Sequence, residues 1–305
     1  MQSLKGVTPL LLIIGVTIAV GTEERELDER IHIFAPLPSC GLSQTPCLPT
    51  PNDKLLGEDQ PGYVARSRTN PEYGLPGWTR SEGQRFHKGV DILPVRYEKT
   101  KETVRIQYYD PRTGRSFAKS EPVLVPKDEI FAILDGVVMV ANKYEQRSGY
   151  GRYVMIEHQF ADDTRFISMY AHLNWPEVTA GDPVKLGDRV GWMGCTSSSS
   201  GGRSYLKAIP HCHFEVGRVM DAGFAATPFA RGMDPAMLGG KFDPRNIQPY
   251  DPLNFLIHYE ARPRSELRKD PPKPPAKKEE KPSTETDKVK SSATPSAAKP
   301  PAKKK

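Results

Sequence analysis

The sequence predicts an all-β domain, an antiparallel β-sandwich or barrel, with irregular segments on both sides of it. Three observations carry this. Between Gly83 and Glu260 short apolar runs recur (FAILDGVVMVA, GRYVMIEH, TRFISMYAHL, DRVGWMG, HCHFEVGRV). They are rich in the β-branched and aromatic residues that suit a pleated, half-buried surface. Turn signals such as Leu134-Asp135-Gly136 and Ala180-Gly181-Asp182-Pro183 separate them, so few runs reach helix length. Both ends differ from this middle in composition, which leaves one core-bearing stretch of about 180 residues in the 305-residue chain.

Residues 1–21 hold Lys5 followed by the apolar run Val7 to Gly21, with the small residues Ala19 and Gly21 near its end. That pattern is expected of a signal peptide, since a membrane span needs about twenty apolar residues; an uncleaved N-terminal anchor is the alternative. Either way the protein is expected to be exported, to the periplasm or cell envelope. Residues 22–80 are punctuated by Pro, Gly and Asn and read as an extended segment wrapped on the domain. Cys40 and Cys47 fall there, and an exported chain permits a local bridge between them.

The domain is expected over 81–260. Within it, residues 96–125 read as an inserted β-hairpin: TVRIQYYD and SFAKSEPVLV alternate on either side of an Asp110-Pro111-Arg112-Thr113-Gly114 turn. From 261 to the end the chain is rich in Pro, Lys, Ala, Ser and Thr and is expected to be disordered. Residues 262–305 hold 14 Lys+Arg against 6 Asp+Glu, which leaves 29 and 31 for the rest; the net charge of +6 therefore belongs to the tail. Such a tail can hold the protein to an anionic wall or membrane surface, and a solvated spacer is the competing expectation. With an export signal present, no nucleic-acid partner is expected.

Most of the domain's histidines fall in three motifs: His87-Lys88-Gly89-Val90-Asp91, Tyr170-Ala171-His172-Leu173 and His211-Cys212-His213-Phe214-Glu215. The flanks of the third favour a strand, on which His211, His213 and Glu215 share one face and Cys212, Phe214 and Val216 the other. Two imidazoles two residues apart on a strand lie roughly 6–7 Å apart and can share a site. His87 and Asp91 are four residues apart, about 13 Å if extended. The segment must bend to bring them together, and Gly89 permits that. An Asp with two His makes a three-ligand set with a fourth position open for water, the pattern of a catalytic zinc site. Zinc there would lower the pKa of the water toward neutrality and polarise a scissile carbonyl.

The order HKGVD, YGRYVMIEH, YAHL and HCHFE, followed by DPLNFL, resembles the LytM/lysostaphin-type peptidoglycan metallopeptidases over roughly residues 80–257. GDPVKLGDRVGWMG is similar to that family's glycine-punctuated strands. The resemblance implies a LytM-like fold of the duplicated hybrid motif type and one Zn2+ per domain. It implies zinc ligands His87, Asp91 and His213, with His172 and His211 as catalytic residues flanking the water and the scissile peptide. The implied activity is that of an endopeptidase cutting cross-links of cell-wall peptidoglycan. The alternative is a catalytically silent relative that binds peptidoglycan or activates another hydrolase; such relatives lack ligands that this chain keeps. His158 resembles a recurrent family histidine and is expected to be structural, while His32 and His258 have no such context.

The chain departs from the family at Cys212, where Leu is usual. A buried thiol is expected there, with pairing to Cys195 as the alternative. The stretch Thr196 to Pro210 is longer than the usual link, and with the hairpin it is expected to wall the substrate groove. The Gly-punctuated stretch around Val184-Lys185-Leu186-Gly187 suggests a lipoyl- or biotinyl-type carrier, but the exposed lysine at a tight hairpin tip that a carrier needs is not found, and a carrier has no need of five placed His and Asp residues. Ser197 to Ser200 lack the strand-to-helix elbow of a serine nucleophile.

Overall fold

A computed structural model of the chain describes residues 33–57, 62–64, 72–110, 112–198, 206–220 and 247–267. The expected leader at 1–21, His32 and the tail from 268 onward lie outside the described residues, as does the second of two compact units, 270–305. In chain order the strands are β1 (Gly77–Arg80), β2 (Arg85–His87), β3 (Val90–Ile92), β4 (Tyr97–Asp110), β5 (Arg115–Pro126), β6 (Glu129–Phe131), β7 (Gly136–Asn142), β8 (Tyr153–Gln159), β9 (Arg165–Ala171), β10 (Leu173–Pro176), β11 (Pro183–Val184), β12 (Arg189–Met193), β13 (Cys212–Val219) and β14 (Ile247–Tyr250). Two short helices follow, α1 (Pro252–His258) and α2 (Arg264–Leu267). No helix among the described residues is long and apolar enough to cross a membrane.

The architecture is the expected antiparallel all-β one. The main sheet has the order β11-β7-β8-β9-β13-β14, with β3 also paired to β13; a smaller sheet has the order β10-β12-β6. Alternation along each strand sorts the side chains. Val154 and Ile156 of β8, Phe166 and Tyr170 of β9, and Cys212, Phe214 and Val216 of β13 join Ile130, Leu173, Val190 and Met193 of the small sheet in one buried core. That shared core makes the fold a sandwich. The other face of the main sheet carries a second cluster, with Met139, Met155, Ile167, Met169 and Ala171 buried. By the same alternation, His213 and Glu215 emerge on this second face.

The described parts of the N-terminal segment run along the domain. Backbone bonds join Cys47 N to Ile133 O, Phe131 N to Pro49 O and Leu48 N to Arg262 O. β1 lies before the boundary expected at 80/81 but pairs with β2 after it, so the β1–β2 hairpin straddles that boundary. The tail is ordered further than expected: Arg262 N donates to Pro46 O, and Arg264 Nε donates to Gly187 O at 2.7 Å. Bonds to neighbouring backbone outweigh the polar composition up to residue 267. All four cysteines are free thiols. Cys47 is buried in the core, so burial takes the place of the local bridge to Cys40. Cys212 is fully buried, and burial raises its thiol well above the usual range.

The inserted hairpin forms as β4 and β5, paired from Tyr97↔Pro126 to Asp110↔Arg115. Gly114 takes φ +65 in its turn, a conformation glycine adopts without penalty. The buried carboxylate of Asp128 holds the hairpin's base, accepting from Val95 N at 2.6 Å and from Arg96 N and Nε. Ile106 packs with Val64, Leu206 and Ala208.

His158 is part of this scaffold. Its Nδ1 lies 2.9 Å from Asp135 O and its Nε2 2.8 Å from Ser168 Oγ, which lies 3.0 Å from Tyr170 Oη. A carbonyl only accepts, so Nδ1 carries the proton and Nε2 accepts from the Ser168 hydroxyl. Burial holds His158 neutral, lowering its pKa from 6.5 to about 4. The unfolded chain therefore binds a proton as pH falls through 6.5, while the folded chain resists until about 4. The stability lost across that window is about 3 kcal/mol. Urea midpoints at pH 7 and pH 4.5 should fall further in the wild type than in His158→Gln, which keeps both hydrogen bonds without titrating; equal falls would rule out this contribution.

Candidate metal centre and active site

Three strands build the site. Opposite His213 on β13 lie Asp91 of β3 on one edge and Ala171 of β9 on the other. Register thus places Asp91 beside His213 on one face, although 122 residues separate them. His87 ends β2, and the turn through Lys88 and Gly89 brings it over the same point. A Cβ on Gly89 would lie 2.6 Å from Phe214 O and 2.8 Å from the His213 ring. Glycine is needed here for close approach as well as for the bend.

His87, Asp91 and His213 are buried and form a group able to hold a metal ion, with ligand atoms all within 4.8 Å of one another. His213 Nδ1 lies 2.9 Å from Asp91 Oδ1 and 3.1 Å from His87 Nε2; the remaining side of the triangle is 3.2 Å. The far nitrogen of each ring is already engaged: His87 Nδ1 donates to Leu75 O at 2.8 Å, and His213 Nε2 donates to Glu215 Oε1 at 2.7 Å. Such partners set the tautomer of a metal-ligating histidine. Two imidazole lone pairs and a carboxylate oxygen face one point, where Arg80 Nη2 meets the lone pair of His87 Nε2. Burial works against charge on His213, yet Asp91 and Glu215 push it up to about 9. Burial also works to raise Asp91, but His211, Arg80 and His87 hold its carboxyl well below the usual range. The donor set fits a metal ion bound by two nitrogens and one oxygen.

The other two histidines stand beside this point. His172 follows the last residue of β9 with φ +59, in the left-handed region that costs a non-glycine residue about 1–3 kcal/mol. Its backbone N–H bonds to Tyr150 O, and its Nδ1 donates to Thr196 O at 2.8 Å, which leaves Nε2 as the ring's acceptor. His211 Nδ1 donates to Ile209 O at 3.0 Å, and Nε2 lies 3.6 Å from Asp91 Oδ2. The two rings are 5.0 Å apart, and His172 is 6.1 Å from His213. Burial, together with His211 and His213, pushes His172 down to about 3, and burial lowers His211 as well. Both rings are held neutral beside the metal group.

These residues line a groove of about 600 Å³, with Tyr73, Arg80, Arg85, Phe86, Lys88, Ser148, Gly149, Tyr150, Ser197, Leu206 and Glu215. No residue of the β4–β5 hairpin is among them. The hairpin's Ile106 packs in one cluster with Leu206 and Tyr73, which do line the groove; in place of the expected wall it is a buttress. Ser197 is buried with its hydroxyl donating to Gly149 O, and Lys185 bonds to Asp135 at the surface. His258 lies in the last turn of α1.

Sequence reasoning left Arg80, Glu215 and Tyr150 without roles. The signal for Glu215 was present in the alternation that singled out His211 and His213. Tyr150 Oη donates to Glu215 Oε1 at 2.9 Å, so both fix His213. Arg80 has no motif of its own. Its Nη2 donates to Asp91 Oδ2 and lies 2.8 Å from His87 Nε2.

Residues 121–224 match the family described as "Peptidase family M23". The match covers His172, His211 and His213 and begins inside β5, within the hairpin that follows His87 and Asp91 in the chain. The chain is 35% identical to a protein described as an uncharacterized metalloprotease from Buchnera aphidicola subsp. Baizongia pistaciae, over 35% of this chain and 23% of that one. It is 33% identical to one of the same description from Haemophilus influenzae, over 34% of this chain and 18% of the other. The alignments thus span less than a quarter of the length of these curated relatives. Among solved structures, a zinc-containing peptidase from Vibrio cholerae is similar at 27% identity and a TM-score of 0.24, over 41% of this chain and 35% of that chain. Residues 121–224 thus match peptidase family M23, and the ordered motifs that resemble its LytM/lysostaphin type meet at one metal group.

Proposed function

We propose that the protein is a zinc-dependent endopeptidase, exported to the periplasm or cell envelope, that hydrolyses peptide cross-links of bacterial peptidoglycan. The convergence of His87 Nε2, Asp91 Oδ1 and His213 Nδ1, each oriented by a separate partner, supports this above all else. Two neutral nitrogens and one carboxylate suit zinc. His87, Asp91 and His213 would hold the zinc, which would supply a water of lowered pKa and polarise a carbonyl.

The chain's own groups supply the rest. His172, with Nδ1–H tied to Thr196 O, presents Nε2 as a proton acceptor beside the metal group. In that position it takes the proton of the attacking water and later delivers one to the leaving amine. His211, across from it, is placed to stabilise the oxygen of the tetrahedral species. Glu215 and Tyr150 hold the His213 ring in orientation, and the M23 match brings metallopeptidase chemistry to the segment that holds these groups.

Digestion of purified peptidoglycan with and without a chelator, followed by mass analysis of the fragments, tests the proposal. Cross-linked dimers should be lost only when metal is present, and zinc should restore the activity. A folded, zinc-loaded protein that leaves the cross-links intact would point to a silent binding or activating relative.

A further inference from the structure

Among the described residues lining the groove, Arg80 is a buried cation whose donors are not all used. Arg80 is 8% exposed, its guanidinium lies 3.7 Å over the Tyr73 ring, and its Nε has no hydrogen-bond partner. Nη2 donates to Asp91 Oδ2 and reaches His87 Nε2 at 2.8 Å. His87 Nδ1 already donates to Leu75 O, so Nε2 offers the only lone pair on that ring. A metal held by His87 takes that lone pair from Arg80. The guanidinium would then keep Asp91 Oδ2 and have a second N–H, besides Nε–H, in need of an acceptor. A buried donor left unmet is costly, and Arg80 lines the groove, from which an acceptor can arrive.

The charge of the groove indicates what that acceptor is. Arg85 and Lys88 join Arg80 in lining the groove wall. The carboxylates in the lining, Asp91 and Glu215, are committed to Arg80, His213 and Tyr150. The wall therefore presents positive charge to whatever enters, with a planar fork at its base that matches a carboxylate.

We propose that this wall is a carboxylate subsite: Arg80, supported by Arg85 and Lys88, binds a carboxylate of the substrate beside the scissile bond and makes the protein selective for peptides in which that group is free. This rests on the peptidase reading above. The subsite works on substrates whose acid groups are unmodified and rejects those in which they are amidated.

The test uses the zinc-loaded full chain and two synthetic cross-linked stem-peptide dimers, one with free carboxylates and one with carboxamides in their place. A charge-assisted fork should give the free acid an advantage of about tenfold or more in kcat/KM. Arg80→Leu should bring the acid-to-amide ratio to within about twofold, and Arg80→Lys, which keeps the charge without the fork, should leave it in between. Calorimetry with zinc-loaded His172→Ala reads binding without turnover and should show the same preference in Kd, lost when Arg80→Leu is added. Zinc affinity by chelator competition is measured alongside, so that altered metal loading in Arg80→Leu is separated from loss of the subsite. Equal binding of acid and amide by the wild type, or a preference that survives Arg80→Leu, would overturn the subsite. Tighter binding of the acid with neither dimer cleaved would retain the subsite and remove the peptidase reading.

Discussion

If the protein is a zinc peptidase, His213→Ala should lose zinc and peptidase activity together. His213 sits within the main sheet, with Asp91 paired on one edge of its strand and Ala171 on the other, so its backbone cannot shift to compensate. Its ring is the one ligand clamped between two carboxylates, at 2.9 Å from Asp91 Oδ1 and 2.7 Å from Glu215 Oε1. Loss of an outer partner of a ligating histidine typically costs about 10–100-fold in metal affinity, and loss of the ligand itself should exceed about 100-fold. Chelator competition checks the affinity, and circular dichroism checks that the sheet persists. Phe214 and Cys212, which point to the opposite face, keep the core packed in the variant. Near-stoichiometric zinc binding by folded His213→Ala would remove this residue from the metal group, and with it the assignment of Asp91 as its neighbour in coordination.

The parts of this site legible in the sequence are those that depend on local periodicity. His211, His213 and Glu215 share a face because a strand alternates, and Cys212 is buried for the same reason. The hairpin over 96–125 was readable because two alternating runs flank a turn that needs a glycine, and Gly114 takes the positive φ that such a turn requires. Pairing between distant segments was not readable from periodicity. Asp91 meets His213 through the β3–β13 register, and only the family resemblance pointed to that meeting. Arg80 was missed because its position comes from the β1–β2 hairpin and from attraction to Asp91, neither of which leaves a pattern around residue 80. The hairpin was expected to wall the groove, but hydrophobic packing of Ile106 against Leu206 and Ala208 places it behind the wall. The tail was expected to be disordered from 261. Arg262 is held by backbone bonds to Pro46 O and from Leu48 N, and Arg264 by Gly187 O and the Phe131 ring, and composition carries no information about such contacts.

His172→Ala keeps zinc and loses turnover. The residue contributes no atom to the group formed by His87, Asp91 and His213, so metal affinity should stay within a few-fold of the wild type. Removing a positioned proton acceptor typically costs about 10²–10⁴-fold in rate, and kcat should fall by that range. The backbone complicates the alanine variant. At φ +59 a β-carbon is disfavoured by about 1–2 kcal/mol per residue. The wild-type chain sustains this conformation because the His172 ring is tied to Thr196 O and its N–H to Tyr150 O. Alanine keeps the strain and drops one of the ties, so some of the lost rate would come from a loosened strand end. His172→Asn separates the two effects, since asparagine tolerates the left-handed region and cannot act as the base. If both variants lose kcat by a similar factor while only alanine lowers the Tm, the loss is chemical. If His172→Asn retains kcat within a few-fold, His172 serves to hold the end of β9 and His211 becomes the candidate base. A residue held at a backbone cost beside a metal group is expected to be there for its chemistry, and this pair of variants measures whether that expectation applies to His172.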